Sequence, residues 1–231
     1  MSSSKNKPLK KGKNCHMEMM KDIHYIHWLG HDSFRIDAGG VVIYTDPFRI
    51  KKSKEAPKAD LVLITHEHYD HCSPEDVEEI SDEETVILAP PDCLGKFSRG
   101  KASGVRPGDS ISAAGVEVEV VPAYNIGKKF HPKENQWVGY IFQAGGKRIY
   151  IAGDTDYIPE MKGIRADIAL LPVSGTYVMT AEEAAQAALD IKPAVAVPMH
   201  YGTVVGDRED AFRFEKLLEG KIKTAILEQE G

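Results

Sequence analysis

Three histidines and an aspartate lie close together in the first third of the chain. The segment reads Thr65-His66-Glu67-His68-Tyr69-Asp70-His71. Imidazole nitrogens and carboxylate oxygens bind zinc, iron and manganese in proteins. Because His66 and His68 are two residues apart, their side chains point the same way on an extended segment. Four such groups on one loop can serve two ions, so the segment predicts a metal centre.

The residues on either side indicate the elements that position this loop. An apolar run at 61–65 predicts a buried strand that ends at the first histidine. After the loop, Ser73 suits a helix cap and Pro74 suits the first helical position, with acidic residues following. The sequence therefore predicts a strand, a histidine-rich loop and a helix, in that order.

Short strands and a few helices follow one another through the rest of the chain. Apolar and period-two patterns predict strands at 23–28, 33–36, 41–44, 85–88, 116–121, 138–142, 148–152, 168–173, 194–198 and 224–227. A capping box at 180–183 begins a helix that runs to about Ile191, and 207–218 has the period of an amphipathic helix. This order favours sheets that are covered by helices.

Length and composition limit the classes of protein to consider. A net charge of −6 and a pI of about 5.9 argue against a general nucleic-acid binder that relies on a basic surface. The three cysteines form no regular disulfide framework, and no run reaches the ~18 apolar residues of a membrane helix. We therefore expect a cytoplasmic protein. Residues 1–20 are polar and lysine-rich, which predicts a disordered or extension tail before one domain at 21–231.

Several short motifs together resemble one known family. Besides H-x-H-x-D-H at 66–71, they are Trp28-Leu29-Gly30-His31, Thr45-Asp46-Pro47-Phe48, Gly153-Asp154-Thr155 and Pro198-Met199-His200-Tyr201. Over residues 22–228 the chain is similar to the metallo-beta-lactamase superfamily, and in particular to its ascorbate-6-phosphate lactonase-like branch. The resemblance implies an α+β fold, a four-layer αββα sandwich.

The resemblance also implies a set of metal ligands. They are His66 and His68 for the first ion, Asp70, His71 and His200 for the second, and Asp154 as a bridge between both. Asp154 and His200 each follow an apolar strand, at the end where α/β folds usually bind ligands. The implied cofactors are two divalent metal ions, with zinc expected first and manganese or iron as alternatives.

One ligand that the superfamily usually supplies is missing from its place. A third histidine for the first metal is expected before the bridging aspartate, but the aligned segment at 121–125 ends in Asn125. His131, six residues later, can supply this ligand instead. The alternatives are coordination by Asn125 or by water, or a first metal that is weakly bound or absent.

Two residues are candidates for a catalytic role. Asp70 can orient a metal-bound hydroxide as well as bind metal, and His31 either points into the site or begins a strand. Asp46 is a further candidate, as the hydrogen-bond partner of a metal-bound histidine.

The function that the resemblance implies is metal-dependent hydrolysis. Bound metal lowers the pKa of water from 15.7 towards about 7, and the resulting hydroxide would attack an ester, lactone, amide or phosphodiester of a small molecule. Basic residues in two loops are expected to attract an anionic substrate, unless they are ordinary solvated surface. They are Arg49, Lys51, Lys52, Lys54 and Lys58 in one loop, and Lys128, Lys129, His131 and Lys133 in the other.

Three other functions on the same fold stay open. A di-iron oxidoreductase is disfavoured because His68 stands where such proteins carry glutamate, and because a flavin domain is missing. A nuclease is disfavoured by the acidic pI and the lack of a nucleic-acid-gripping domain. A metal-binding protein without catalysis is suggested by Asn125.

Overall fold

The computed structural model describes residues 23–50 and 56–230. The tail expected at 1–20 lies outside this part of the chain, as do Lys51, Lys52 and Lys54 of the first basic loop.

Within the described residues, the first sheet has six strands in chain order. They are β1 (Ile26–Gly30), β2 (Ser33–Ala38), β3 (Val41–Thr45), β4 (Leu61–Leu63), β5 (Val86–Ala89) and β6 (Lys101–Gly104). The first three pair antiparallel, and β3 to β6 pair parallel. Helix α1 (Pro74–Ile80) lies between β4 and β5 in the chain, and the Ser73 hydroxyl caps it as predicted.

The second sheet has seven strands in the part of the chain that the structure describes. They are β7 (Ser110–Ala113), β8 (Val116–Pro122), β9 (Val138–Ala144), β10 (Lys147–Ile151), β11 (Ile168–Pro172), β12 (Val195–Met199) and β13 (Lys223–Thr224). Strands β7 to β10 pair antiparallel and β10 to β13 pair parallel. Helix α2 (Ala181–Ile191) precedes β12, and α3 (Arg208–Leu218) follows it; both begin with a capping box. Three short 3-10 helices span Pro91–Lys96, Lys133–Asn135 and Pro159–Gly163.

Alternating side chains show how the layers are stacked. Leu61 and Leu63 of β4 belong to the large core that the first sheet shares with the second, whereas Val62 belongs to a smaller cluster with Val77 of α1. The large core also includes Phe214 of α3, on the far side of the second sheet. The order is helix, sheet, sheet, helices, which confirms the predicted α+β fold, a four-layer αββα sandwich. None of the helices in the described ranges combines the length and the apolar character that a bilayer crossing requires.

The strand directions bring one end of both sheets together. Strands β1, β3 and β4 run the same way, as do β8, β10, β11 and β12. The carboxyl ends of similarly directed strands lie at one edge of a sheet, where open α/β folds bind ligands. The candidate site residues follow these strand ends.

Candidate metal centre

Each predicted site residue follows the carboxyl end of a strand. His31 follows β1, Asp46 follows β3, His66 follows β4 after two residues, and His200 follows β12 directly. Asp154 follows β10 after a short spacer. In this spacer Gly153 has φ +63°, and a Cβ on it would lie 2.9 Å from the Thr65 side chain. Glycine therefore lets the strand ends of the two sheets approach each other.

Three histidines form the first group of possible ligands. The ligand nitrogens of His66, His68 and His131 all lie within 4.8 Å of one another. His66 Nε2 is 3.0 Å from His68 Nδ1, and His131 Nε2 is 3.2 Å from the same atom. Trp137 is buried against all three rings, with centroid distances of 5.0, 4.8 and 5.6 Å. Three imidazole nitrogens that face one point suit a transition metal.

Asn125 lies behind His131, further from this point. Its Oδ1 accepts a hydrogen bond from the His131 backbone N–H at 3.1 Å and lies 3.1 Å from His131 Nδ1. Its Nδ2 donates to Asp156 Oδ1 at 3.1 Å and to the Tyr177 carbonyl at 2.8 Å. With both ends of the amide engaged, Asn125 orients the His131 ring so that Nε2 faces the other histidines.

The second group surrounds Asp154. His200 Nε2 lies 3.1 Å from Asp154 Oδ2, and His71 Nε2 lies 3.4 Å from Asp154 Oδ1. His131 Nε2 lies 3.2 Å from Asp154 Oδ2, so this carboxylate stands between the two groups. His71 Nε2 and Asp154 Oδ1 are buried and have no hydrogen-bond partner within the described residues. Buried polar atoms of this kind call for a partner, and a divalent cation fits this donor set.

Asp70 lies on the partly exposed side of this second group, where the buried His31 contacts it. Asp70 Oδ2 lies 4.0 Å from His71 Nε2 and 3.2 Å from His31 Nε2. The Asp70 side chain is 12% exposed, whereas His31 is fully buried. Of the two readings of His31, the structure supports the one in which the ring points into the site.

A layer of hydrogen bonds holds the ligands from behind. Asp46 Oδ2 lies 2.9 Å from His71 Nδ1 and accepts from Thr65 Oγ1 at 2.6 Å, while Asp46 Oδ1 accepts from Thr65 N at 2.7 Å. Ser174 Oγ is 2.8 Å from His200 Nδ1. Such contacts leave the Nε2 atoms of His71 and His200 directed at the centre, as expected for metal-bound histidines.

Three residues at the centre have a left-handed backbone, which glycine adopts most easily. His31, Asp46 and His200 have φ values of 52°, 38° and 60°. Left-handed conformations of non-glycine residues cost about 1–3 kcal/mol each and persist where the surroundings hold them in place. The His200 N–H, for example, donates to the His31 carbonyl at 3.2 Å. This strain is concentrated where the chain turns each side chain towards the centre.

Burial and neighbouring charges set the protonation states. Burial lowers the pKa of His66 well below its usual value and that of His31 to about 4, so both rings are neutral at neutral pH. Burial opposes the charge on Asp154, but His200 and His71 outweigh it and hold the pKa of this carboxyl well below its usual range. His66 and Asp154 thus have the protonation states that bind metal, whereas nearby carboxylates outweigh burial and raise the pKa of His71 and His200, so a cation would displace a proton from each of these two rings.

Sequence reasoning missed several residues that the structure brings to the site. Asp32 is fully buried, its Oδ2 lies 4.0 Å from His71 Nδ1, and burial raises its pKa to about 8. Ser174 follows β11 at the same edge as His200, so strand order could have indicated it. Trp137 lies directly before β9 and belongs to no polar motif, so no feature of the sequence indicated that it lies at the site.

Comparison with known proteins adds independent findings. The sequence profile of the beta-lactamase superfamily domain matches residues 25–200. A UPF0173 metal-dependent hydrolase of Thermoplasma acidophilum is 34% identical and aligns with 91% of this chain and 96% of its own. A crystal structure from Parabacteroides distasonis, assigned as a metal-dependent hydrolase, has a TM-score of 0.79 at 35% identity, covering 89% of this chain and 93% of that one. Igni18, a metallo hydrolase from Ignicoccus hospitalis, has a TM-score of 0.70 at 29% identity, with coverages of 89% and 95%.

Proposed function

Since this chain belongs to the metallo-beta-lactamase superfamily and, within it, to the UPF0173 metal-dependent hydrolases, we propose that it uses two divalent cations to hydrolyse a small-molecule ester, lactone or phosphodiester. The observation that carries the proposal is the position of Asp154. Its carboxylate lies 3.2 Å from His131 Nε2 in one histidine group and 3.1 Å from His200 Nε2 in the other.

The proposed ligands divide between the two ions. His66, His68 and His131 hold the first ion, Asp70, His71 and His200 hold the second, and Asp154 bridges them. Zinc is the first choice because three imidazoles suit it, with manganese and iron as alternatives. We also propose a cytoplasmic location, because the buried Cys72 and Cys93 are free thiols and suit a reducing compartment.

The protein residues have separate tasks in the proposed reaction. When bound, the two cations would supply a hydroxide nucleophile at neutral pH and would stabilise negative charge on the substrate oxygen. Asp70 is partly exposed beside them, so it can accept a hydrogen bond from the attacking group and orient it. His31 is neutral and can donate its Nε2 proton to Asp70 Oδ2 at 3.2 Å, which fixes the direction of that carboxylate.

A reconstitution experiment tests the proposed function. Protein stripped with a chelator should be inactive, and titration with zinc, manganese or iron(II) should restore hydrolysis as about two ions bind per chain. The substrates are p-nitrophenyl acetate, a neutral aliphatic lactone and bis-p-nitrophenyl phosphate. Each of the two neutral substrates is compared with an anionic analogue, and the anionic phosphodiester is compared with a neutral one. Protein that binds no metal, or hydrolysis that survives complete metal removal, would contradict the proposal.

The roles of His131 and Asn125 can be separated by metal content. His131→Ala is expected to bind about one ion per chain because it removes a ligand nitrogen. Asn125→Ala should still bind two ions, with the first held about 10–100-fold more weakly, because it removes only the partner that orients the ring. Equilibrium dialysis with elemental analysis measures both, with His27→Ala as a control histidine outside the centre. Loss of one ion from Asn125→Ala but not from His131→Ala would reverse the assignment.

A further inference from the structure

Exposed apolar side chains are concentrated beside the metal centre. Five large apolar residues in the described part of the chain are strongly exposed: Tyr69, Ile126, Phe130, Val204 and Phe212. The first four lie in the three loops that carry site residues, and we call these four the apolar rim. A scattered exposed apolar residue is ordinary, but a group of them beside a site indicates a binding surface.

The rim borders the place where solvent reaches the proposed ligands. Most of those ligands are buried, and the two that are partly exposed are His68 and Asp70. Tyr69 stands between these two in the chain and is 65% exposed. His68 Nδ1 lies 3.2 Å from His131 Nε2, and Phe130 is the residue directly before His131. Since consecutive Cα atoms are only about 3.8 Å apart, the backbones of Tyr69 and Phe130 lie next to the residues on this partly exposed side of the centre.

Aromatic neighbours support both rings while leaving them exposed. The Tyr69 ring meets the Phe48 ring edge to face at 5.8 Å, and Phe48 lies 6.3 Å from the His31 ring. The Phe130 ring meets Tyr177 edge to face at 4.6 Å and stays 46% exposed. Rings that are held in place lose little conformational entropy when a ligand packs against them.

The nearby lysines are occupied by contacts within the protein. Lys128 Nζ lies 2.6 Å from Asp156 Oδ1 and donates to the Val178 carbonyl at 2.7 Å. Lys133 Nζ lies 3.0 Å from Glu160 Oε1. The charge of these two members of the second basic loop is thus balanced locally, which reduces their attraction for an anion and agrees with their interpretation as ordinary surface.

We propose that the apolar rim binds an uncharged hydrocarbon or aromatic group of the substrate, next to the bond that is cleaved. The proposal rests on the hydrolase function proposed above and assigns its substrate class. The occupant is a part of the small molecule rather than a second copy of this chain, because the rim borders the opening to the ligands, where the substrate must enter.

Neutral ketones that cannot be hydrolysed test the rim separately from catalysis. Binding of 2-alkanones from butanone to decanone to the metal-loaded protein is measured by calorimetry. Affinity should rise up to about fourfold for each added methylene that becomes buried. Phe130→Ser should weaken binding of 2-nonanone about fivefold or more and leave that of butanone unchanged. Phe212→Ser is the matched control, since it removes an exposed aromatic ring on α3, outside the rim.

Hydrolysis is measured in parallel on p-nitrophenyl esters from acetate to octanoate. A protein that binds long ketones but cleaves none of these esters and none of the lactones or phosphodiesters tested above would contradict the hydrolase proposal and leave the rim supported. Affinity that is independent of chain length, or an equal effect of Phe212→Ser, would overturn the rim proposal. It would also be overturned if light scattering showed a dimer that Phe130→Ser dissociates, because the rim would then be an interface between copies.

Discussion

Asp154→Ala is expected to leave the protein without tightly bound metal and with turnover reduced by about a thousandfold or more. This carboxylate lies within 3.1–3.4 Å of ring nitrogens from His200, His131 and His71. Its removal takes a ligand from both proposed ions and leaves His71 Nε2 without the carboxylate oxygen that lies 3.4 Å away. Elemental analysis after gel filtration and the turnover rate on the best substrate measure the two effects.

The isosteric change Asp154→Asn separates charge from shape. It keeps the size of the side chain but removes the negative charge, so we expect most of the metal to be lost here too. Thermal unfolding shows whether both variants remain folded. A folded Asp154→Ala protein that keeps two ions and its turnover would exclude Asp154 as the bridge.

Asp46→Ala is expected to destabilise the protein by about 3–5 kcal/mol and to weaken metal binding about 10–100-fold. The buried carboxylate contacts Thr65 N, Thr65 Oγ1 and His71 Nδ1 at 2.7, 2.6 and 2.9 Å. Without it, Thr65 N and His71 Nδ1 lose their hydrogen-bond acceptor while they stay buried, and the His71 ring loses the contact that orients it. Urea unfolding of the metal-free protein gives the free energy of unfolding, and competition with a chelator gives the metal affinity.

The matched variant is Asp46→Asn. Asparagine accepts the left-handed backbone at φ 38° and can still accept from Thr65 N through its oxygen. Its NH₂ group then faces atoms that need an acceptor, so we expect a smaller loss of stability than with alanine. If both variants unfolded at the same urea concentration as the unchanged protein, the hydrogen bonds of Asp46 would have no energetic role.

The sequence predicted the elements with a clear local pattern. Strand β8 alternates buried valines with exposed glutamates, and Thr180 caps α2 with the reciprocal contact of Glu183. Strand β6 was missed because all four of its residues are exposed, so only its backbone pairing with β5 defines it. Strand β1 begins at Ile26 rather than at residue 23, because the Ile26 N–H closes a turn onto the Ile23 carbonyl.

The order of motifs along the chain predicted the candidate site. It did not show which side chain of the loop at 125–131 faces the metal centre. The resemblance predicted a histidine near Asn125, and the sequence alone left four alternatives: His131, Asn125 or water as the ligand, or a first metal that is weakly bound or absent. Which side chain faces the metal centre depends on how residues 125–131 fold. The Asn125 N–H donates a hydrogen bond to the His131 carbonyl at 2.7 Å, and the Asn125 side-chain amide contacts the His131 ring. Asp32 was missed for a related reason, since one aspartate in a strand connection forms no pattern.

The closure of this loop lets the orientation of the His131 ring and the apolar surface beside it change independently in evolution. Asn125 and His131 are tied to each other by backbone and side-chain hydrogen bonds, whereas Ile126 and Phe130 between them are exposed to solvent. Mutations at these two intervening positions can therefore accumulate without moving the ring that faces the metal centre. Relatives that catalyse the same reaction can therefore differ in substrate preference through a few side chains on one short loop.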